Sequence, residues 1–499
     1  MFKGTFLKYF LFVFLSLILI SCNKKATSID TTFYLDSIHG DDSNDGRSPK
    51  RAWKSLEKAN EHRFEPGTQL LLAKGSKFDG TLLLQGGGNK QQPVLVGAYE
   101  GITPSDELPI IDGKGYLAAV QITNGKYFKI QDLELTADAG TVQDSLALAK
   151  RYGVYIHANE QGDYPGIHLK NLFIHHIFST LNPPGDGQNP TSNRGIGISF
   201  QMEEKGAKIR DVTIESCRIE MTGHTGIRIS GARKYKDWDF LEGVTIINNR
   251  LKHIGGPGMV PGVCQNVIVR GNIVDHSGSS IDPRMHARGS GIWPWNSRNV
   301  LIENNQFLHA RGKADSCGVH IDFYCRDVVV QYNLSMDNEG GFVEILGDVW
   351  NSTYRYNISI NDGFRVKREN GAKQEGKVLW TSGYVGRKQK KHGPYNNYIY
   401  NNTVYVKSDL RSCFSFTGTT KGLLIANNIF DIEGITENVS GDQDRRIDDK
   451  SIALERVVFQ NNLYTRTGIL PASLSIKDEK PIIGSPNFVA RGQLSPEAY

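Results

Sequence analysis

The chain has 499 residues, a net charge of +5 and 39% hydrophobic residues, and no Pro/Ser-rich linker or charge run divides it, so one large repetitive architecture is more economical than several small domains. Its 53 Gly against 6 Met, with many Asn, Val, Ile, Tyr and Phe, weigh against helices and favour short strands punctuated by turns.

At the N-terminus Lys3 and Lys8 precede an apolar run, residues 11–20, that is too short for a confident membrane span. Leu19-Ile20-Ser21-Cys22 closes it and resembles a bacterial lipobox. The resemblance implies a lipoprotein signal over 1–22 cleaved before Cys22, acylation of Cys22, and a polar tether over 23–32. It places the protein in the bacterial cell envelope, anchored to the outer membrane on its periplasmic or surface face. Nucleic acid is an unsuitable partner for an exported chain. Cys217, Cys264, Cys317, Cys325 and Cys413 remain, an odd and scattered set that argues for small buried fillers rather than a disulfide framework. No Cys/His cluster has zinc-ligand spacing, and neither a metal nor a cofactor is expected.

Residues 33–127 read as an N-terminal cap with the first coils. Asp41-Asp42-Ser43-Asn44-Asp45-Gly46 mimics the start of a calcium loop, but Ala52 stands at the twelfth position, where an acidic ligand is needed. Ser48-Pro49 predicts a helix, Ser as N-cap and Pro in the first turn, with Trp53, Leu56 and Ala59 on one face to cover an open solenoid end.

Residues 128–465 carry a repeat: a short β run, an Asn pair or Tyr-Asn (once Gly-Asn), then another β run. The second Asn falls at 249, 272, 305, 333, 357, 402, 428 and 462, with gaps of 23, 33, 28, 24, 45, 26 and 34 residues. A unit of about two dozen residues with insertions is what a parallel β-solenoid needs. Asn at a corner tolerates left-handed backbone, and stacked amides can bond from coil to coil. The fold class expected is all-β, a right-handed parallel β-helix, the hand following the general crossover preference. Residues 466–499 read as a C-terminal cap.

Aligning coils at the glycine before each outward strand stacks Gly291-Ile-Trp-Pro-Trp295, Gly318-Val-His-Ile-Asp322 and Gly341-Phe-Val-Glu-Ile345. Alternation sends Val319, Ile321, Phe323, Val343 and Ile345 inward and His320, Asp322 and Glu344 outward. Two carboxylates on neighbouring coils, about 4.8 Å apart, come near the roughly 5–5.5 Å that retaining glycosidases use. Trp293 and Trp295 beside them supply flat apolar platforms for sugar rings.

The runs Gly318-Val-His-Ile-Asp-Phe323 and Gly341-Phe-Val-Glu-Ile345 resemble the active-site strands of glycoside hydrolase family 120, the β-xylosidases on a parallel β-helix. The resemblance covers about 30 residues. It implies Asp322 as nucleophile and Glu344 as acid/base; His320 and Phe323 stand where that family has Trp. The Asp-rich N-terminal loop and the Gly-Ile-Trp-Pro-Trp run also resemble exported β-helix lipoproteins of polysaccharide-degrading bacteria, which implies a plant or algal polysaccharide or oligosaccharide as substrate.

Three further groups stand near this site in sequence. His286 and Arg284, in the loop ahead of the Trp strand, are candidates for substrate hydroxyls or a carboxylate. Residues 363–395 carry nine Lys/Arg, Arg365 and Lys367 among them, against Glu369 and Glu375, a wall that suits an anionic glycan. A polysaccharide lyase with Arg365, Lys367, Arg326 or Arg288 as base is one alternative function, and a non-catalytic glycan-binding solenoid is another.

Overall fold

The computed structural model describes residues 31–140, 150–180, 194–234, 237–439, 454 and 456–499. Cys22, the 1–22 signal and all but the end of the 23–32 tether lie outside the described residues. The chain is a right-handed parallel β-helix of three sheets. Two sheets of 14 strands run its length, and the third is divided into runs of seven and five strands. Their inner faces share one core, from Phe33 and Trp53 at one end to Ile469 and Leu474 at the other.

The divided sheet positions the site. Its seven-strand run ends at Met259–Gly262 and its five-strand run starts at Cys317–Ile321. Between them the 291–295 segment keeps only isolated bridges, Met259 with Ile292, Gly262 with Trp295 and Ile292 with Val319. Pro294 has no N–H to donate, so a regular ladder cannot pass through it.

The repeated Asn pair divides its labour. The first residue takes the left-handed corner: φ is 57° at Asn248, 54° at Asn304 and Tyr332, and 54° at Asn401. The second is buried and forms a ladder, in which the backbone N–H and Nδ2 of Asn249 both donate to Oδ1 of Asn272, each at 2.9 Å. The pattern repeats through Asn305, Asn333, Asn357, Asn402 and Asn428 to Asn462. Asn462 then donates to Asp478, which closes the ladder at 2.7 Å. All five described cysteines are buried free thiols.

The predicted N-terminal helix splits in two. Residues Pro49–Arg51 form one 3-10 turn without a side-chain cap from Ser48, and Leu56–Asn60 form a short α-helix capped by Ser55. Trp53 is drawn out of helix because its backbone bridges Leu35 and its ring stacks on Phe33 at 4.7 Å. In the Asp-rich loop the carboxylates accept turn hydrogen bonds: Asp41 from Ser43, Asp42 from Lys54 and Ser55, and Asp45 from Arg47.

Candidate active site

Glu344 pairs in register with His320, and Asp322 lies two residues farther along its segment. This corrects the side-by-side placement of the two carboxylates. Gly291 and Gly318 are level, but Gly341 is level with Cys317, so the glycine alignment fails by one residue at the third layer. The slip has a local cause. Gly341 sits at φ 147° where a Cβ would lie 1.9 Å from the Lys377 carbonyl oxygen, so this glycine serves a close approach to the next coil.

Alternation holds for the rest. Val319, Ile321, Val343 and Ile345 face the core, and His320 and Glu344 are on the other face. Phe323 departs from it, because the strand ends at Ile321. Its ring instead joins Trp295 at 5.9 Å and Tyr384 at 5.8 Å in an aromatic wall. Trp293 stands edge-on to His320 at 5.5 Å.

His320 lies between the two acids. Its Nδ1 is 3.5 Å from Glu344 Oε2 and its Nε2 is 3.8 Å from Asp322 Oδ1. With the width of the ring, these contacts keep the carboxyls within about 10 Å of each other. Exposure separates them, at 16% for the Asp322 side chain and 0% for Glu344.

Their charges differ as well. Burial raises Glu344 well above the ordinary carboxylate range, reinforced by the negative charge of Asp315. Burial also raises Asp322 to about 7, against a backbone N–H from Phe323 that donates to it at 2.8 Å. Burial lowers His320 to about 4, leaving a neutral imidazole. Cys317 Sγ lies 3.2 Å from Glu344 Oε2, while Glu344 Oε1 and both His320 nitrogens have no hydrogen-bond partner among the described residues.

Asp315 is a site residue that sequence reading missed. It is buried, with Oδ2 2.7 Å from Arg288 Nε, and burial is outweighed by that guanidinium, so Asp315 is held below its usual range. It lies seven residues before Asp322 in the turn leading into the same strand, outside the alternating pattern. Arg288 on the preceding coil was the available signal. The ligand atoms of Asp315, His320 and Glu344 lie within 4.8 Å of one another, as do those of Asp275, His276 and His309 on another face. A divalent ion would fit either set by spacing, although Arg288 already gives Asp315 its counter-charge.

Two expected substrate contacts serve the fold. Arg284 is enclosed between Asp138 at 2.5 Å and Asp282 at 2.8 Å, with its guanidinium over Phe178. Arg365 is buried and donates to the carbonyls of Gln374, Gly312 and Asp315, bracing the turn that holds Asp315. His286 stacks on His224 at 4.6 Å, and burial lowers it to about 4. Lys367 is half-buried in the 363–395 insertion, its backbone N–H donating to Glu375. Of the lyase bases, Arg326 is paired with Asp348 at 3.0 Å and Arg288 with Asp315.

The model of the right-handed β-helix region matches residues 194–367, the stretch that contains this site. The chain is 26% identical over 490 aligned residues to the lacto-N-biosidase of Bifidobacterium longum subsp. longum. That match covers 81% of this chain and 29% of the relative, so the chain spans less than a third of that protein's length. Two crystal structures of the GH136 lacto-N-biosidase from Eubacterium ramulus, native and selenomethionine, superpose with TM-scores of 0.57 and 0.55. Both are 22% identical and cover 81% of this chain and 68% of the other, a likeness of fold. The likeness to family 120 stays confined to the two short motifs, and no β-xylosidase character or plant or algal substrate follows from these relatives.

Proposed function

We propose that this chain is a glycoside hydrolase acting on an oligosaccharide, with Asp322 as the carboxylate that meets the sugar. The observation that carries it is the asymmetry of the site. One acid reaches the cleft beside Trp293 and Trp295, and a second, sealed behind His320, is held protonated. Glycoside hydrolysis needs one ionised and one protonated carboxyl across the scissile bond. In this assignment Asp322 is the nucleophile or base and Glu344 the proton source, with His320 between them. Burial raises both pKa values, and the negative charge of Asp315 adds to it. The diagonal placement, one strand spacing across and two residues along, opens the gap to about 8 Å, in the wider range of inverting enzymes rather than the retaining range expected from sequence.

Exposure favours a second assignment of roles. Asp322, raised to about 7 and open to the cleft, has the properties of a general acid, and Asp315, ionised by Arg288, those of its partner. The lacto-N-biosidase relative makes lacto-N-biosides the first substrates to try. The test is hydrolysis of 4-nitrophenyl glycosides, lacto-N-bioside included, by wild type, Asp322→Asn, Glu344→Gln and Asp315→Asn. Turnover that survives Asp322→Asn overturns both assignments; a loss shared with only Glu344→Gln or only Asp315→Asn chooses between them. Proton NMR of the first-formed anomer reads the stereochemistry.

The lipobox-like run supports export and acylation at Cys22, with the chain held on the cell envelope. Loss of membrane partition and of palmitate labelling in Cys22→Ala tests it.

A further inference from the structure

Arg228 is the unusual cation of this face. Ile227 and Ile229 on either side of it are in the core, so alternation turns Arg228 outward on the divided sheet. It is half-buried, and among the described residues it has no hydrogen-bond or ion-pair partner. The neighbouring arginines differ: Arg284 has two aspartates, Arg288 has Asp315, and Arg365 has three carbonyls. Desolvation disfavours the Arg228 charge, Tyr152 offsets it in part, and Arg194 and Arg228 repel one another. Buried His224 is kept neutral by burial, by His286 stacked on it and by the positive charges of Arg194, Arg228 and Arg288. A half-buried guanidinium without an anion leaves part of its desolvation uncompensated, which an anionic ligand would relieve.

The register fixes where this charge lies. Arg228 pairs with Val260, and Val260 is level with Trp293 on the next coil, because Met259 bridges Ile292. Trp293 is therefore two coils, about 10 Å, beyond Arg228 on the same face, and His320 is one coil farther. Val260 is the small side chain between them. The column reads Arg228, Val260, Trp293, His320 and Glu344, with Asp322 two residues to the side, and it spans a few sugar rings.

We propose that Arg228 anchors a subsite for an oxyanion carried by the glycan, a carboxylate or a sulfate ester, a few sugar rings from the bond cleaved at Asp322. Arg228 supplies the planar donor fork that suits either group. Tyr152, buried against Tyr155 and Ile196, feels the Arg228 charge. This rests on the reading of the cleft as a glycan site, and it narrows the substrate class to acid-bearing oligosaccharides.

The test is binding to the full chain carrying Asp322→Asn, measured by saturation-transfer NMR and calorimetry with glucuronate, glucose 6-sulfate and glucose as probes. The expected result is at least about tenfold preference for one or both anions over glucose, as a charge-assisted bidentate contact gives. The two anion arms separate carboxylate from sulfate. Arg228→Met is expected to abolish the preference and Arg228→Lys to keep part of it. Phenylglyoxal labelling of wild type, read by mass spectrometry, provides a measure that needs no variant: Arg228 should be modified in buffer and protected by the preferred anion. Equal binding of glucose and both anions, a preference that persists in Arg228→Met, or labelling of Arg228 indifferent to anion overturns the proposal. Absence of glycoside turnover in wild type would instead sink the hydrolase reading while leaving the anion preference measurable.

Discussion

Glu344 stands opposite His320 in the parallel ladder of the divided sheet, with its Oε2 3.5 Å from the imidazole Nδ1. The ring thereby covers the one acid whose proton burial retains, and only Asp322, two residues on, is left open. A two-residue offset turns a symmetric pair of outward acids into one open and one enclosed.

That offset makes the pH profile diagnostic. If Asp322 acts ionised, kcat/KM rises with pH through a limb near 7, the value to which burial raises it, and falls only where Glu344 loses its proton. If Asp322 acts as the acid, the limb near 7 has the opposite sign and activity falls above it. A full pH–rate profile on one aryl glycoside decides.

Asp315→Asn should move this limb to lower pH. The substitution removes a negative charge that raises Asp322 and leaves Arg288 as an added positive one, and both effects favour the carboxylate. A limb that stays near 7 in this variant would mean that Asp315 does not act on Asp322 electrostatically. Where Asp315 also reacts directly, kcat should drop by about 100- to 10,000-fold as well.

The Asn ladder should be measurable one rung at a time. Asn305→Ala removes the acceptor for Asn272 and the donor to Asn333, leaving buried backbone groups unpaired, and should cost about 1–3 kcal/mol. Lys390→Ala on the exposed loop should stay within about 0.5 kcal/mol. Urea unfolding of the two variants tests the contrast.

Asp362 offers a stability test independent of the site. It is fully buried, accepts from Asn338, and is raised by burial to about 7, whereas an unfolded aspartate titrates near 4. Between those values the folded state binds the extra proton, so its stabilising effect is complete below about pH 4 and fades as pH rises to about 7. Asp362→Asn should flatten that fall, gaining up to a few kcal/mol over wild type at pH 8 relative to pH 4, at about 1.4 kcal/mol per pKa unit. Parallel pH–stability curves for both proteins would refute it.

The architecture was legible in the sequence because the Asn repeat marks every coil at one corner and alternation marks the inner face. The placement of Glu344 and Trp293 on the outer face beside His320 was legible for the same reason. The relative register of the two acids was not. It turns on one residue of slip at Gly341, and a glycine that starts a strand looks the same in sequence as one that admits a neighbouring carbonyl. Asp315 was hidden because it lies in a turn, where no period points to a face. Arg284 and Arg365 looked like free surface cations, since their carboxylate and carbonyl partners come from coils far away in the chain or from loops.

The Asn ladder also bears on how this molecule can change over evolutionary time. Successive rungs are separated by as few as 23 and as many as 45 residues, yet each amide meets the next at the same corner. Every coil is thus indexed afresh, and extra length on one side never accumulates as misalignment farther along. The long basic excursion after Glu344 occupies the coil with the widest gap. Its exposed turns, 368–371 and 387–390, could be exchanged without disturbing the stacked frame, to which Arg365 and the Lys377–Thr381 strand belong, so substrate preference can diverge rapidly on a scaffold that itself stays fixed.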